Sequence, residues 1–323
     1  MDMPMNQLRE YKGTNPCPAD FDEYWRKALE ELDHTDLNPV LIPGPMQTPF
    51  AECFDLWFTG VGGARIHAHY VRPKKREKPC PAILCFHGYS GNCGDWWETF
   101  GYTAGGFCAA FMDCRGQGGL SQDVGGVVGN TYHGHIIRGL VDGPEKLLFR
   151  ANFLDTAALT RVVMSFEEVD ETKVAAVGGS QGGGLSIACA ALEPRINRIA
   201  VRYPFLSDYQ RVWEMGLAQD AYGEITQYFR LYDPAHRQEE RFFTTLGYID
   251  VHHLAKRIHC PVRMATGMVD AVCPPSTQFA IYNNLSSKDK THTLYPDFGH
   301  ECAPGWNDEV YAWLLEMAET GRN

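Results

Sequence analysis

Val174-Ala175-Ala176-Val177-Gly178-Gly179-Ser180-Gln181-Gly182-Gly183-Gly184 joins a short apolar run to a serine boxed in by glycines. The run predicts a buried strand, and the small residues that continue through Leu192 predict a helix. Residues 178–182 fit Gly-x-Ser-x-Gly, a strand-to-helix turn so sharp that flanking side chains would clash. Such a turn lifts the Ser180 hydroxyl above the sheet and aims the Gln181 amide where an oxyanion would form. A phosphate-binding loop fits less well. Both the Gly-Lys-Ser/Thr ending of a P-loop and the Gly-x-Gly-x-x-Gly spacing are missing.

Further apolar runs stand on either side: Ala82 to Phe86, Phe107 to Met112, Ile199 to Tyr203, Val262 to Thr266 and Thr291 to Tyr295. They alternate with helical patterns at Asn152 to Phe166 and Asp308 to Glu319, which predicts an α/β fold with a mostly parallel sheet covered on both faces. Near the N-terminus, Phe21 to Leu32 carries one apolar helical face with Asp20 as its expected N-cap. Phe54 to Phe58 and Ile66 to Val71 flank Gly60-Val61-Gly62-Gly63 and read as a hairpin. Residues 1–323 form one expected domain. The aromatic and charged stretch 207–248, broken by Pro234, is expected to be a helical cap or interface insertion.

A serine nucleophile needs a base, and the base needs an acid to fix its tautomer. In chain order the acid follows the serine and the histidine comes last. His300, in Asp297-Phe298-Gly299-His300-Glu301, is the last histidine of the chain and precedes the final helix. Asp270 is the carboxylate that follows the run Val262 to Thr266. The second oxyanion donor is expected from the loop after Phe86, where Gly88 lets the backbone turn and presents the Tyr89 amide. His87 is expected to pack beneath that loop. His67 and His69 share one side of a strand, and His252 and His253 lie in a helix. His133 and His135 lack a carboxylate or cysteine cluster to complete a metal site, so no metal is expected.

The 323 residues are 44% hydrophobic and 21% charged, an ordinary globular composition. A net charge of −11 excludes a nucleic-acid binder, since Lys74-Lys75-Arg76-Glu77-Lys78 is the lone basic run and reads as a solvated hairpin or loop tip. Met1 to Phe21 has no apolar stretch of signal-peptide length, and no run approaches a membrane span. The 11 cysteines are odd in number and contain no Cys-x-x-Cys pair, which argues for buried thiols in a reducing compartment. A cytoplasmic location is expected.

Taken together, the motifs resemble the acetyl xylan esterase and cephalosporin C deacetylase family, carbohydrate esterase family 7. They are Pro18-Ala19-Asp20-Phe21-Asp22-Glu23-Tyr24-Trp25, Phe86-His87-Gly88-Tyr89, Arg115-Gly116-Gln117, the serine turn, Pro204-Phe205-Leu206-Ser207-Asp208 and His300-Glu301. The resemblance implies an α/β-hydrolase fold, Ser180, Asp270 and His300 as catalytic triad, and the Tyr89 and Gln181 amides as oxyanion hole. It also implies a cytoplasmic homohexamer whose clefts face an internal cavity. The expected reaction removes acetyl groups from small O-acetylated substrates, acetylated xylo-oligosaccharides above all or cephalosporin C, through an acyl-enzyme and without a cofactor. Cys93 to Gly101 departs from the family pattern, which bears on acyl and leaving-group preference. Tyr89 and Phe205 are expected to contact substrate, and Trp96, Trp97, Tyr203 and Pro204 to narrow the cleft for acetyl. Arg115 is expected to hold a nearby carboxylate such as Asp155. The rival readings are a peptidase, a carboxylesterase or acyltransferase of broader acyl specificity, and a non-catalytic binding protein on the same scaffold.

Overall fold

The computed structural model describes residues 2–123, 133 and 135–319. Its nine strands are β1 (Val40–Pro43), β2 (Ala51–Thr59), β3 (Arg65–Pro73), β4 (Cys80–Phe86), β5 (Cys108–Met112), β6 (Val169–Gly179), β7 (Arg198–Arg202), β8 (Val262–Gly267) and β9 (Lys290–Tyr295). They form one sheet in the order β1-β2-β3-β5-β4-β6-β7-β8-β9. The pairs from β5 to β9 are parallel, while β1, β2 and β3 add on antiparallel. β4 is buried almost throughout because both of its faces are covered, as a central parallel strand requires. β1 is short and mostly exposed, with no apolar run long enough to announce it.

Side chains alternate between two cores. Ala82, Leu84 and Phe86 point to one, with Leu185, Phe153 and Trp25 from the helices Gln181–Leu192, Leu148–Met164 and Phe21–Asp33. Ile83 and Cys85 point to the other, under Trp306, Val310 and Leu314 of the helix Trp306–Glu319. Between β7 and β8 the chain folds into the helices Tyr209–Glu214, Gly223–Tyr232 and Glu239–Gly247, whose apolar residues join the first core. Residues 74–79 are exposed, and because β5 lies between β3 and β4 this segment is a connecting loop, not a hairpin tip. Asp20 precedes its helix as expected, but its carboxylate makes no cap. It accepts the Tyr248 hydroxyl instead. All eleven cysteines are free, and most are buried. No helix among the described residues is long and apolar enough to cross a membrane.

The turn at Ser180 is held by close backbone contacts. Ser180 has φ 55° and ψ −124°, a conformation that costs a non-glycine residue on the order of 1–3 kcal/mol. A Cβ on Gly182 would lie 1.9 Å from the Phe86 carbonyl oxygen, and one on Gly178 would lie 2.3 Å from Gly182 backbone atoms. Only glycine fits at either place.

After β5, Arg115 is fully buried and forms a two-point ion pair with Asp155 of the helix Leu148–Met164, at 2.7 and 2.6 Å. It also donates to the Val61 carbonyl at 3.2 Å, so one side chain ties three segments together. Removing one partner of such a buried pair strands the other charge. Arg115→Met should therefore cost about 3–5 kcal/mol, read as a lower denaturation midpoint. Adding Asp155→Leu should recover much of the loss. An unchanged midpoint in the single variant would refute this reading of the pair.

Candidate active site

Three strand ends converge. Ser180 follows β6, Asp270 follows β8 and His300 follows β9. His300 Nε2 lies 2.9 Å from Ser180 Oγ, and its Nδ1 lies 2.9 Å from Asp270 Oδ2. The tautomer with its proton on Nδ1 satisfies both contacts: it donates to Asp270 and accepts from the serine hydroxyl. Asp270 is buried, and its Oδ1 accepts the Val272 and Cys273 amides, each at 2.8 Å. Gln278 donates to Oδ2 at 3.3 Å. These bonds fix the carboxylate, which fixes the imidazole. Tyr203 packs against the His300 ring at a centroid distance of 4.6 Å. A hydroxyl, an imidazole and a carboxylate linked in this order are equipped for nucleophilic acyl transfer.

Beside the serine, the loop after β4 is pinned by the Arg115-Gly116-Gln117 motif. Gln117 is fully buried; its Oε1 accepts the Ser90 amide at 3.0 Å and the Gln181 side-chain amide at 2.9 Å. Gln117 thus bridges the residue after Tyr89 to the residue after Ser180. His87 sits beneath the loop as expected, with Nε2 accepting the Cys114 amide at 3.0 Å.

The Tyr89 hydroxyl donates to Glu224 Oε1 at 2.6 Å. Glu224 Oε2 accepts the Ile136 and Ile137 amides at 2.7 and 2.9 Å. Burial pushes the Glu224 carboxyl up to about 7, against the downward pull of the Tyr89 hydroxyl and the backbone amides.

A cavity of about 720 Å³ opens over Ser180 and His300. Tyr203, Arg202, Asn307 and Glu98 stand in its wall. Arg202 donates to the Tyr203 hydroxyl at 2.8 Å and to Asn307 at 2.9 Å. Several residues expected here lie elsewhere. Phe205 is fully buried, edge-on to Tyr89 and Tyr222, and is not in the wall; its ring is part of the core instead of a substrate contact. The Tyr89 side chain is likewise turned to Glu224 and away from the lining. Trp96 stacks on His69 at 3.7 Å, and Trp97 is 66% exposed, so neither narrows the cavity. Sequence reasoning missed Glu224, Arg202 and Asn307, because nothing in their local sequence separates them from surface polar residues.

Three groups of side chains among the described residues have metal-ligand spacing: Asp55, His67 and His69; His67, Cys93 and Asp113; and Asp250, His252 and His253. In the first two, His67 already bonds Asp113 at 2.7 Å and Asp55 at 2.9 Å, which uses both ring nitrogens. In the third, His252 Nδ1 lies 2.6 Å from Asp250 Oδ1. His135 faces the Ser90 hydroxyl at 3.0 Å, and His133 is exposed. The His67 contacts make it part of an internal polar network, while His69 Nδ1 and His253 Nε2 are buried without a hydrogen-bond partner among the described residues.

Residues 1–317 match the family model described as acetyl xylan esterase (AXE1). Acetyl xylan esterase 1 from Thermoanaerobacterium sp. JW/SL YS485 is 57% identical, with a TM-score of 0.94 over 98% of this chain and 99% of its own. The acetyl xylan esterase from Paenibacillus sp. R4 is 36% identical, with a TM-score of 0.90 over 98% of this chain and 100% of its own. The acetyl esterase Axe7A of Xylanibacter ruminicola is 26% identical over 94% of this chain and 68% of its own length. The fold is that of the α/β hydrolases.

The raised Glu224 carboxyl has a measurable sign. A carboxyl with a raised folded-state pKa binds its proton more tightly when folded. Its stabilising contribution is complete below the unfolded value of 4.5 and is lost as pH rises through about 7. The stability of the native protein relative to Glu224→Gln should therefore fall between pH ~5 and ~8, as followed by urea unfolding. A pH-independent difference would show that the carboxyl is not perturbed.

Proposed function

The chain belongs to the acetyl xylan esterase family and is a carboxylic ester hydrolase of that type, acting on acetylated substrates, and we propose that its reaction runs through Ser180. The observation that carries the proposal is His300, which reaches Ser180 with one nitrogen and Asp270 with the other, both at 2.9 Å. Ser180 Oγ attacks the ester carbonyl while His300 takes its proton. The amides of Tyr89 and Gln181 hold the oxyanion as the tetrahedral intermediate forms. His300 then returns the proton to the departing sugar oxygen, leaving an acetyl-serine. Water, deprotonated by His300, attacks the acetyl-serine; the bond to Ser180 Oγ breaks, acetate leaves and His300 returns the proton to the serine oxygen. Asp270 keeps the imidazole in one tautomer and stabilises it when charged. No step calls for a metal or cofactor.

Acetylated xylo-oligosaccharides and cephalosporin C are the proposed substrates. The resemblance of the motifs supports this, as do the solved relatives that carry the name acetyl xylan esterase. Acetyl preference then depends on Tyr203, the one expected bulky residue that stands in the cavity wall. A cytoplasmic homohexamer is proposed on the same resemblance. Its internal cavity would favour short acetylated oligosaccharides over polymer.

Ser180→Ala deletes one oxygen at a formed turn, so it should fold normally and lose roughly a thousandfold or more in kcat. A serine-directed phosphonate should label the native protein and not the variant. Asp270→Asn should cost less than losing Ser180 but still orders of magnitude, by leaving the imidazole in the wrong tautomer. Full activity in either variant would overturn the assignment. Against a panel of aryl esters, acetyl should outpace octanoyl; a clear octanoyl preference would show that Tyr203 does not bound the acyl site.

A further inference from the structure

The helical segment between β7 and β8 reaches the serine centre through one buried acid. We propose that Glu224 is a positioning residue for the reaction: from the helix Gly223–Tyr232 it grips the Tyr89 hydroxyl and so holds the Tyr89 backbone amide at the oxyanion. The proposal rests on the reading of that amide as an oxyanion donor.

The loop needs such a grip. A Cβ on Gly88 would meet nothing within 4 Å, so the chain enters Tyr89 through a residue with no side chain and open space around it. Ser90, on the other side, has φ 57°. On that side the backbone is fastened by the bond from the Ser90 amide to Gln117. A further fastening reaches Tyr89 through its side chain. The ring lies edge-on between His135 at 4.7 Å and Phe205 at 5.7 Å, and the hydroxyl ends on Glu224 at 2.6 Å. Packing alone would be served equally well by phenylalanine. The hydroxyl adds a short bond that fixes how far the ring, and with it the main chain, can slide.

Glu224 is itself immobilised. Its second oxygen is held by two successive amides, Ile136 and Ile137, and the residue is 2% exposed. Water has little access to replace a lost partner there. The carboxylate therefore joins three chain segments that are far apart in sequence: the loop after β4, residues 136–137 and the helix Gly223–Tyr232. A donor displaced by about 1 Å can cost on the order of a hundredfold in rate, and loss of one oxyanion donor costs about 10²–10³. A weakened grip falls below those limits.

The test is a double-mutant cycle on Tyr89→Phe and Glu224→Gln, with an aryl acetate as substrate and an arylboronic acid as a tetrahedral mimic. Each variant should lower kcat about tenfold or more while KM stays within about twofold, because the contact acts on the transition state. Boronate affinity should fall in parallel. The double variant should be no worse than the poorer single: glutamine keeps one acceptor oxygen, which cannot serve both the Tyr89 hydroxyl and the Ile136 and Ile137 amides, so both changes act on one chain of contacts. Tyr89→Phe removes a single oxygen and keeps the ring packing, so it remains decisive if Glu224→Gln fails to fold. Native kcat and native boronate affinity in folded Tyr89→Phe would overturn the proposal, as would fully additive losses. Ser180→Ala separates the two levels. If it retains activity, the serine mechanism falls. If it is inactive while Tyr89→Phe is native-like, only the role of Glu224 falls.

Discussion

The contact between residue 182 and the carbonyl of Phe86 governs this molecule. At 1.9 Å from that oxygen to where a Cβ would stand, the helix Gln181–Leu192 and the end of β4 are as close as two backbones allow. Closeness there sets three things at once. It brings the loop after β4 beside the serine, it accompanies the left-handed backbone of Ser180 (φ 55°), and it sets the start of the helix Gln181–Leu192 next to the hydroxyl. The buried Arg115–Asp155 pair and the Gln117–Gln181 amide pair then hold the surrounding loops to this crossing. Strain at one residue is tolerated because so much packed structure over-determines it.

The parts of the site that could be read in the sequence are those whose signal is local or ordinal. Ser180 was legible because glycines mark the turn on both sides. Asp270 and His300 were legible because each follows an apolar run and their order is fixed by the serine. The misplaced residues share a different physical cause. Trp96 looked like a cleft residue because it is bulky and near the loop, but the flat face of His69, distant in sequence, captures its ring. Phe205 follows β7 closely, yet a left-handed turn at Leu206 (φ 70°) and the aromatic neighbours Tyr89 and Tyr222 fold it into the core. Asp20 sits where a cap belongs but finds a better donor in Tyr248, which lies on the insertion side of the fold. Each outcome was decided by a partner more than a hundred residues away or on another element, and local pattern carries no such information.

Polar burial follows a consistent logic across the fold. His67 stands between Asp113 and Asp55, and Asp113 also takes the Cys93 and Leu120 amides at 2.6 and 2.8 Å. Burial works against charge on His67, but the two carboxylates outweigh it and raise its pKa. Loops near the serine are thus held by hydrogen-bonded acids, Asp113 through the Cys93 amide and Glu224 through the Tyr89 hydroxyl. Preorganisation of this kind lets backbone amides act on developing charge without rearranging when it appears.

The strand order also dictates how the chain can be assembled. β4 lies between β5 and β6, so the central sheet cannot zip from one end as the chain emerges from a ribosome. The helix Phe21–Asp33 waits longer still. Its Trp25 stacks on Phe153 and donates its indole N–H to the Tyr248 carbonyl, partners that are made far later. Nascent chains of this protein must therefore carry an early amphipathic helix with an uncovered apolar face through most of synthesis. That makes the high contact order of the finished fold a period of aggregation risk, during which chaperone binding would matter most.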